Sequence, residues 1–315
     1  MLKNYIIIFT ALLVQANAFA QTSADKSLFD AIKINDIKQV KLLLQQGANV
    51  NTVDDDSDNM LINAAIYSTA DCMRLLLKKG ADPNTKNPLG ETPLMFSISD
   101  MDKTKLLLDN GADINDTSKS GNTALMVAVV GNHQYAITKF LLEKGADPLI
   151  KNTNNETALT RAAGYGDTAT IALLLSKDID INAQDNTGQT ALLYAVFNSN
   201  KQVALQLMNH GADVNLAMGF GPDPLKIAVV YGDMDVVNAL LPNVKNINAI
   251  RDDGLTALMW ATYGEYDNPG IIQALLNKGA DVNLKSKEGK TALWWAMRKG
   301  NTQTVALLKQ AGAKE

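Results

Sequence analysis

Five places in the chain hold residues whose types could do chemistry. His133 and His210 are the two histidines of the chain, the side chains best suited to move protons or hold a transition metal near neutral pH. They stand far apart in sequence and neither has an i,i+4 partner, so neither a metal pair nor a Ser/His/Asp set follows. The run DDDSDN alternates Asp54, Asp56 and Asp58, as a calcium loop does. Its sixth position is Asn59 instead of Gly and its twelfth is Ala65 instead of Glu, so a solvated acidic turn is expected. GFGP, Gly219 to Pro222, lacks the Lys-Ser/Thr that a phosphate loop needs. The adjacent Trp294 and Trp295 in GKTALWWAMRKG could form a cofactor platform, a substrate clamp or ordinary packing. From these residues no catalytic group, metal ligand or cofactor site is expected.

What positions these residues is an internal repeat. A motif close to L-L-x-x-G-A-D-h-N, with h apolar, occurs as LLQQGANVN, LLKKGADPN, LLDNGADIN, LLEKGADPL, LLSKDIDIN, LMNHGADVN, LLPNVKNIN and LLNKGADVN, and LLKQAGA is a degenerate last copy. Its glycine slot holds Gly47, Gly80, Gly111, Gly145, Asp178, Gly211, Val244, Gly279 and Gly312, at spacings of 33, 31, 34, 33, 33, 33, 35 and 33. Between the copies lies G-x-T-[AP]-L, as GETPL, GNTAL, GQTAL, GLTAL and GKTAL. This period and pair of signatures resemble the ankyrin repeat. The resemblance covers nine units from about Lys26 to Ala313. It implies an all-α ankyrin-repeat solenoid of antiparallel helix pairs joined by β-turn fingers, with the first and last units acting as caps.

The residues support that architecture directly. Thr92, Thr123, Thr157, Thr190, Thr256 and Thr291, with Asn59 and Asp223 at the equivalent places, are N-cap types for the first helix of a unit. Pro93 and Pro224 follow two of them at the first helical position. The leucine run forms the second helix, and one repeat cannot shield it alone. The glycine slot suits a left-handed residue after that helix. Asp178 fits it poorly and the β-branched Val244 worse, so with Pro242 the run LLPNVKN predicts a different turn and a local weak point. Length changes near SDMDKT, GNHQ and GEYDNPG fall between the two helices of a unit, where a connection absorbs them. The family's T-P-L-H histidine is absent throughout, so stacking is expected to rest on Met95, Met126, Met259 and Trp294.

In arrays of this family partners lie in the concave groove of finger tips and first helices. Two first-helix positions, i and i+4, share one face. Along the array they read Asp30/Ile34, Asn63/Tyr67, Phe96/Asp100, Val127/Gly131, Arg161/Tyr165, Tyr194/Asn198, Ile227/Tyr231, Trp260/Gly264 and Trp295/Lys299. Seven of these eighteen positions are aromatic in a chain that is 6% aromatic, which marks the stripe as a binding face. Phe197 and Tyr263 lie beside it, and Met218 with Phe220 place apolar groups on the finger of repeat seven. Phe96, Tyr194, Trp260 and Trp295 face the groove or pack between first helices. Tyr67, Tyr165 and Tyr231 are placed toward the open end. Trp294 is expected in the core and Trp295 on the stripe.

The bulk properties exclude other classes. With 46% hydrophobic and 20% charged residues the chain is globular, and its formal charge of −4, from 29 basic and 33 acidic residues, carries no basic block for nucleic acid. Residues 1–20, MLKNYIIIFTALLVQANAFA, show an early Lys3, a short apolar core and Ala18-Phe19-Ala20, the pattern of a cleaved signal peptide. The core is too short to span a bilayer, so no membrane insertion is expected after cleavage. Residues 21–315 are read as one array. Cys72, the lone cysteine, sits in an apolar run and is expected to be buried. The expected function is that of a non-catalytic, monomeric protein-binding module in the periplasm, a scaffold, stabiliser or inhibitor. The alternative is a secreted effector acting on another cell's protein.

Overall fold

Small polar side chains start the first helices. In the computed structural model, which describes residues 23–130, 135–219, 221–264 and 267–314, Asn59 accepts the Leu61 and Ile62 N–H groups. Thr123, Thr157, Thr190, Asp223, Thr256 and Thr291 each accept the N–H three residues on. Thr92 makes no such bond, but Pro93 follows it and presents no N–H of its own. The first helices so begun are Met60–Tyr67, Pro93–Phe96, Ala124–Ala128, Ala158–Tyr165, Ala191–Phe197, Pro224–Tyr231, Ala257–Tyr263 and Ala292–Lys299. Each is followed by a second helix, such as Ala70–Lys78 or Thr302–Gln310, and residues 23–33 with Ile37–Gln45 make the pair that precedes them. Among the described residues there is no strand, only an isolated bridge between Val53 and Asn59.

Helix pairs stack through one leucine row on each layer. The leucine four residues before the glycine slot is buried in every unit: Leu43, Leu76, Leu107, Leu141, Leu174, Leu207, Leu240, Leu275 and Leu308. Its counterpart on the first helices, Leu61 through Leu293, is likewise buried. At roughly 1.5–3 kcal/mol per buried leucine, this repeated burial is the main favourable contribution to the stack. Met95, Met126 and Met259 lie in the same core.

The slot glycines have φ between +88° and +95°, from Gly111 to Gly145, a region that closes a helix without a Cβ clash. Asp178 and Val244 stay out of it. Val244 has φ −69° and follows a 3-10 turn, Leu241–Asn243, as the proline and the β-branch predicted. A cavity of about 130 Å³ lies against the segment that follows the turn, lined in part by Val244, Lys245 and Ile247.

Where it is present, the motif's final asparagine joins a repeat to the next. Asn84 Nδ2 donates to Gly111 O at 3.0 Å, and its Oδ1 accepts Asp113 N–H at 2.7 Å. Asn115, Asn248 and Asn283 repeat both bonds. At the Val244 turn the pattern slips by one residue, with Asn215 pairing with Asn243 O and Lys245 N. Hydrogen bonding between repeats therefore survives without the family's histidine, through a side chain with both a donor and an acceptor.

The two-residue deletion of repeat three shortens its first helix to Pro93–Phe96. Asp100, expected on the same helix face as Phe96, instead caps the second helix by accepting Asp102 and Lys103 N–H. The chain divides into two compact units. One runs to Ala128 and takes in Ala136–Asp147; the other holds Val129–Tyr135 and everything from Pro148 onward.

Candidate partner-binding face

The second unit displays aromatic side chains at repeat intervals. Tyr165, Phe197, Tyr231 and Tyr263 come from four successive first helices and are 60%, 52%, 48% and 52% exposed. Each sits in the last turn of its helix, Tyr165 and Tyr231 at the i+4 position of the stripe and Phe197 and Tyr263 one residue before it. Phe197 and Tyr231 meet edge to face at 6.4 Å. In the first unit Tyr67 is 54% exposed with Lys33 6.0 Å from its ring centre, while Phe96 is half-buried.

The deeper aromatics of the stripe are half-buried, and Tyr194 and Trp260 are tethered by carboxylates. The Tyr194 hydroxyl reaches Asp185 Oδ2 at 2.7 Å and Glu156 Oε1 at 3.2 Å, and its one proton serves a single carboxylate at a time. Burial and the two carboxylates raise the Tyr194 pKa, since ionisation would add a third negative charge. Burial alone would raise that of Asp185 too, but the Tyr194 and Thr187 hydroxyls and the Gln189 N–H outweigh it and hold it below the usual range. Glu156 is also paired with Arg161 at 3.3 Å, so Arg161 is engaged within its own repeat.

Trp260 Nε1 donates to Asp253 Oδ2 at 2.8 Å. Both oxygens of Asp253 also lie 3.0 Å from Lys226 Nζ, and Lys226 is only 1% exposed. Lys226 occupies the position where repeats three, four and eight carry Met95, Met126 and Met259. Nothing in the sequence motif announces this ion pair, although a lysine in DPLK at an otherwise apolar or small slot is its one visible signal. Burial would raise the Asp253 pKa, but the Leu255 N–H, Lys226 and Trp260 lower it overall. Beside this pair, Arg251 Nε donates to Asp223 Oδ2 at 3.4 Å.

Trp294 departs from expectation. It is half-buried, not core, with Lys290 Nζ 4.4 Å and Arg298 Cζ 5.2 Å from its ring centre. Trp295 packs edge-on against Trp294 at 4.7 Å and Tyr263 at 5.8 Å. Met218 is half-buried and folds over its own turn, where a Cβ at Gly221 would lie 3.1 Å from Met218 Cβ. Phe220, His133 and the signal pattern of residues 1–20 lie outside the described residues.

The other chemically suggestive groups are used locally. Asp54 Oδ1 accepts the Asp56 and Asp58 N–H groups at 3.1 and 3.0 Å, and Oδ2 meets Asn63 Nδ2 at 3.0 Å. Asp54 is thus committed to shaping its turn. His210 Nδ1 lies 2.8 Å from Gln206 O at a helix end. Cys72 is buried, and burial raises its thiol pKa. Among the described residues no group of three or more His, Cys, Asp or Glu side chains could hold a metal ion, and no helix is long and apolar enough to cross a membrane.

A family model described as ankyrin repeats (3 copies) matches residues 4–87, 28–118, 80–152, 137–218 and 220–315. A mitochondrial disaggregase from Bos taurus is 36% identical over 75 residues, covering 24% of this chain and 11% of that protein. A 2-5A-dependent ribonuclease from Mus musculus is 35% identical over 74 residues, covering 23% and 10%. The matched region thus spans about a tenth of either curated relative.

Proposed function

The chain belongs to the ankyrin-repeat family, a family of protein–protein interaction modules that is generally non-catalytic, and from that premise we propose that it binds a protein partner through its first-helix and finger face. The observation that carries this reading is the row of Tyr165, Phe197, Tyr231 and Tyr263, each about half exposed, on four successive repeats. All four rings lie outside the leucine core that packs the stack. Such side chains bury large areas at interfaces with little rotamer entropy to lose. Tyr194, Trp260 and Trp295 supplement the row, Met218 and Phe220 contribute at a finger, and on the first unit Tyr67 and Phe96 are the equivalent contact residues. The chain acts as a monomeric scaffold, stabiliser or inhibitor.

Export to the periplasm belongs to the same proposal, supported by the signal pattern that ends at Ala20. The test is affinity capture from a periplasmic extract. Wild type is expected to recover one specific partner, and Tyr165→Ala/Phe197→Ala/Tyr231→Ala to lose it with little change in melting temperature. Equal recovery by both chains would remove the face from consideration. Mass spectrometry of the exported protein should give a chain beginning at Gln21; an intact Met1 in the cytoplasm would refute export.

A further inference from the structure

Repeat nine carries a charge pattern unlike the rest of the face. From Val282 to Lys314 the one carboxylate is Glu288, against seven Lys and Arg residues. Three of those cations rim a continuous aromatic cluster: Lys290 and Arg298 lie against Trp294, and Lys299 is 5.0 Å from the Tyr263 ring centre. Trp295 joins the two rings edge-on. Elsewhere on this unit several face cations have carboxylate partners, as in Arg161–Glu156, Lys226–Asp253 and Arg251–Asp223. Lys290, Arg298 and Lys299 have no ion pair among the described residues. Trp294 is only half-buried where Met126 and Met259, at the same motif position, are 1% exposed.

We propose that this cation-rimmed aromatic cluster binds an acidic segment of a protein partner, with carboxylates meeting Lys290, Arg298 and Lys299 and an apolar side chain packing on the exposed Tyr263. The inference rests on the protein-binding reading above and gives that partner its chemistry. Cations held against rings keep their charge and are pre-placed, so a carboxylate gains a partner without first ordering a mobile lysine. Single-stranded nucleic acid fits less well. A base would have to displace Lys290 or Arg298 to stack on Trp294, and the chain as a whole is negative. An anionic bilayer also fits less well, because Trp295 is half-buried with its Nε1 shielded and cannot enter a lipid interface.

The test titrates the full chain with a short fluorescein-labelled glutamate- and leucine-containing peptide and with its glutamine counterpart. The glutamate peptide is expected to bind at least about tenfold more tightly, to shift the tryptophan emission, and to weaken steeply as salt rises to about 0.5 M. Lys290→Glu/Arg298→Glu/Lys299→Glu should lower its affinity at least about tenfold with the melting temperature unchanged. If that variant fails to fold, Lys290→Gln/Lys299→Gln replaces it, with the same loss expected in direction. Equal affinity for the two peptides, or retention by the folded variant, overturns the proposal. So does tighter binding of a single-stranded oligonucleotide or of phosphatidylglycerol vesicles than of the glutamate peptide, or self-association of the chain that the variant abolishes. A native partner lost on removing Tyr165, Phe197 and Tyr231 but not these cations would leave the protein-binding reading standing and remove this one.

Discussion

Lys226 and Asp253 are the residues on which local stability turns. A charged ammonium that is 1% exposed is tolerated because a carboxylate lies 3.0 Å away through both oxygens. Removing Asp253 strands the buried charge, so Asp253→Ala should lower the unfolding free energy by about 3–5 kcal/mol. Lys226→Met should lower it far less, since methionine fills the same slot in three other repeats and Asp253 keeps the Leu255 and Trp260 donors. Urea titration compares the two; equal losses would mean that the pair is not the determinant. The folded-state Asp253 pKa is lowered, so its contribution is fully present above the unfolded value of about 3.9. It is lost as pH falls through the folded value. Asp253→Asn should flatten that part of the acid-stability profile. The lysine was visible in the sequence but its partner was not, because Asp253 lies in the next finger and only stacking brings the two together.

At the scale of elements, the first and second helices were legible from N-cap residues and leucine runs, both local signals. Repeat three was less so. Deleting two residues leaves a four-residue helix and turns Asp100 from a face residue into a cap, an outcome that depends on where the shortened loop breaks. The Leu241–Asn243 turn was anticipated from Pro242 and Val244, and the cavity against the residues that follow it, Val244 to Ile247, adds a physical reason for weakness: lining atoms there lack packing partners. Native-state hydrogen exchange should therefore find earlier opening of amides at 241–246 than at the equivalent turns after Leu207 and Leu275. Uniform protection across the three turns would refute the weak point.

At the scale of the molecule, repeat stacking makes stability a sum of local terms. All three tryptophans lie at residue 260 or beyond, so fluorescence reports on repeats eight and nine while far-UV circular dichroism reports on every helix. Asp253→Ala should move the fluorescence midpoint in urea below the circular-dichroism midpoint; coincident transitions would show one cooperative unit instead. The sequence alone determined the repeat, its helix pairs and the positions of the aromatic stripe, because these follow from spacing within a unit. Tertiary structure decided which stripe residues present a ring and which are tethered. Tyr165 and Tyr231 reach past the core, whereas Tyr194 and Trp260 are held by carboxylates. It also left Trp294 half-buried and cation-flanked instead of in the core, since its exposure depends on what packs over it, and a residue's own repeat does not encode that contact.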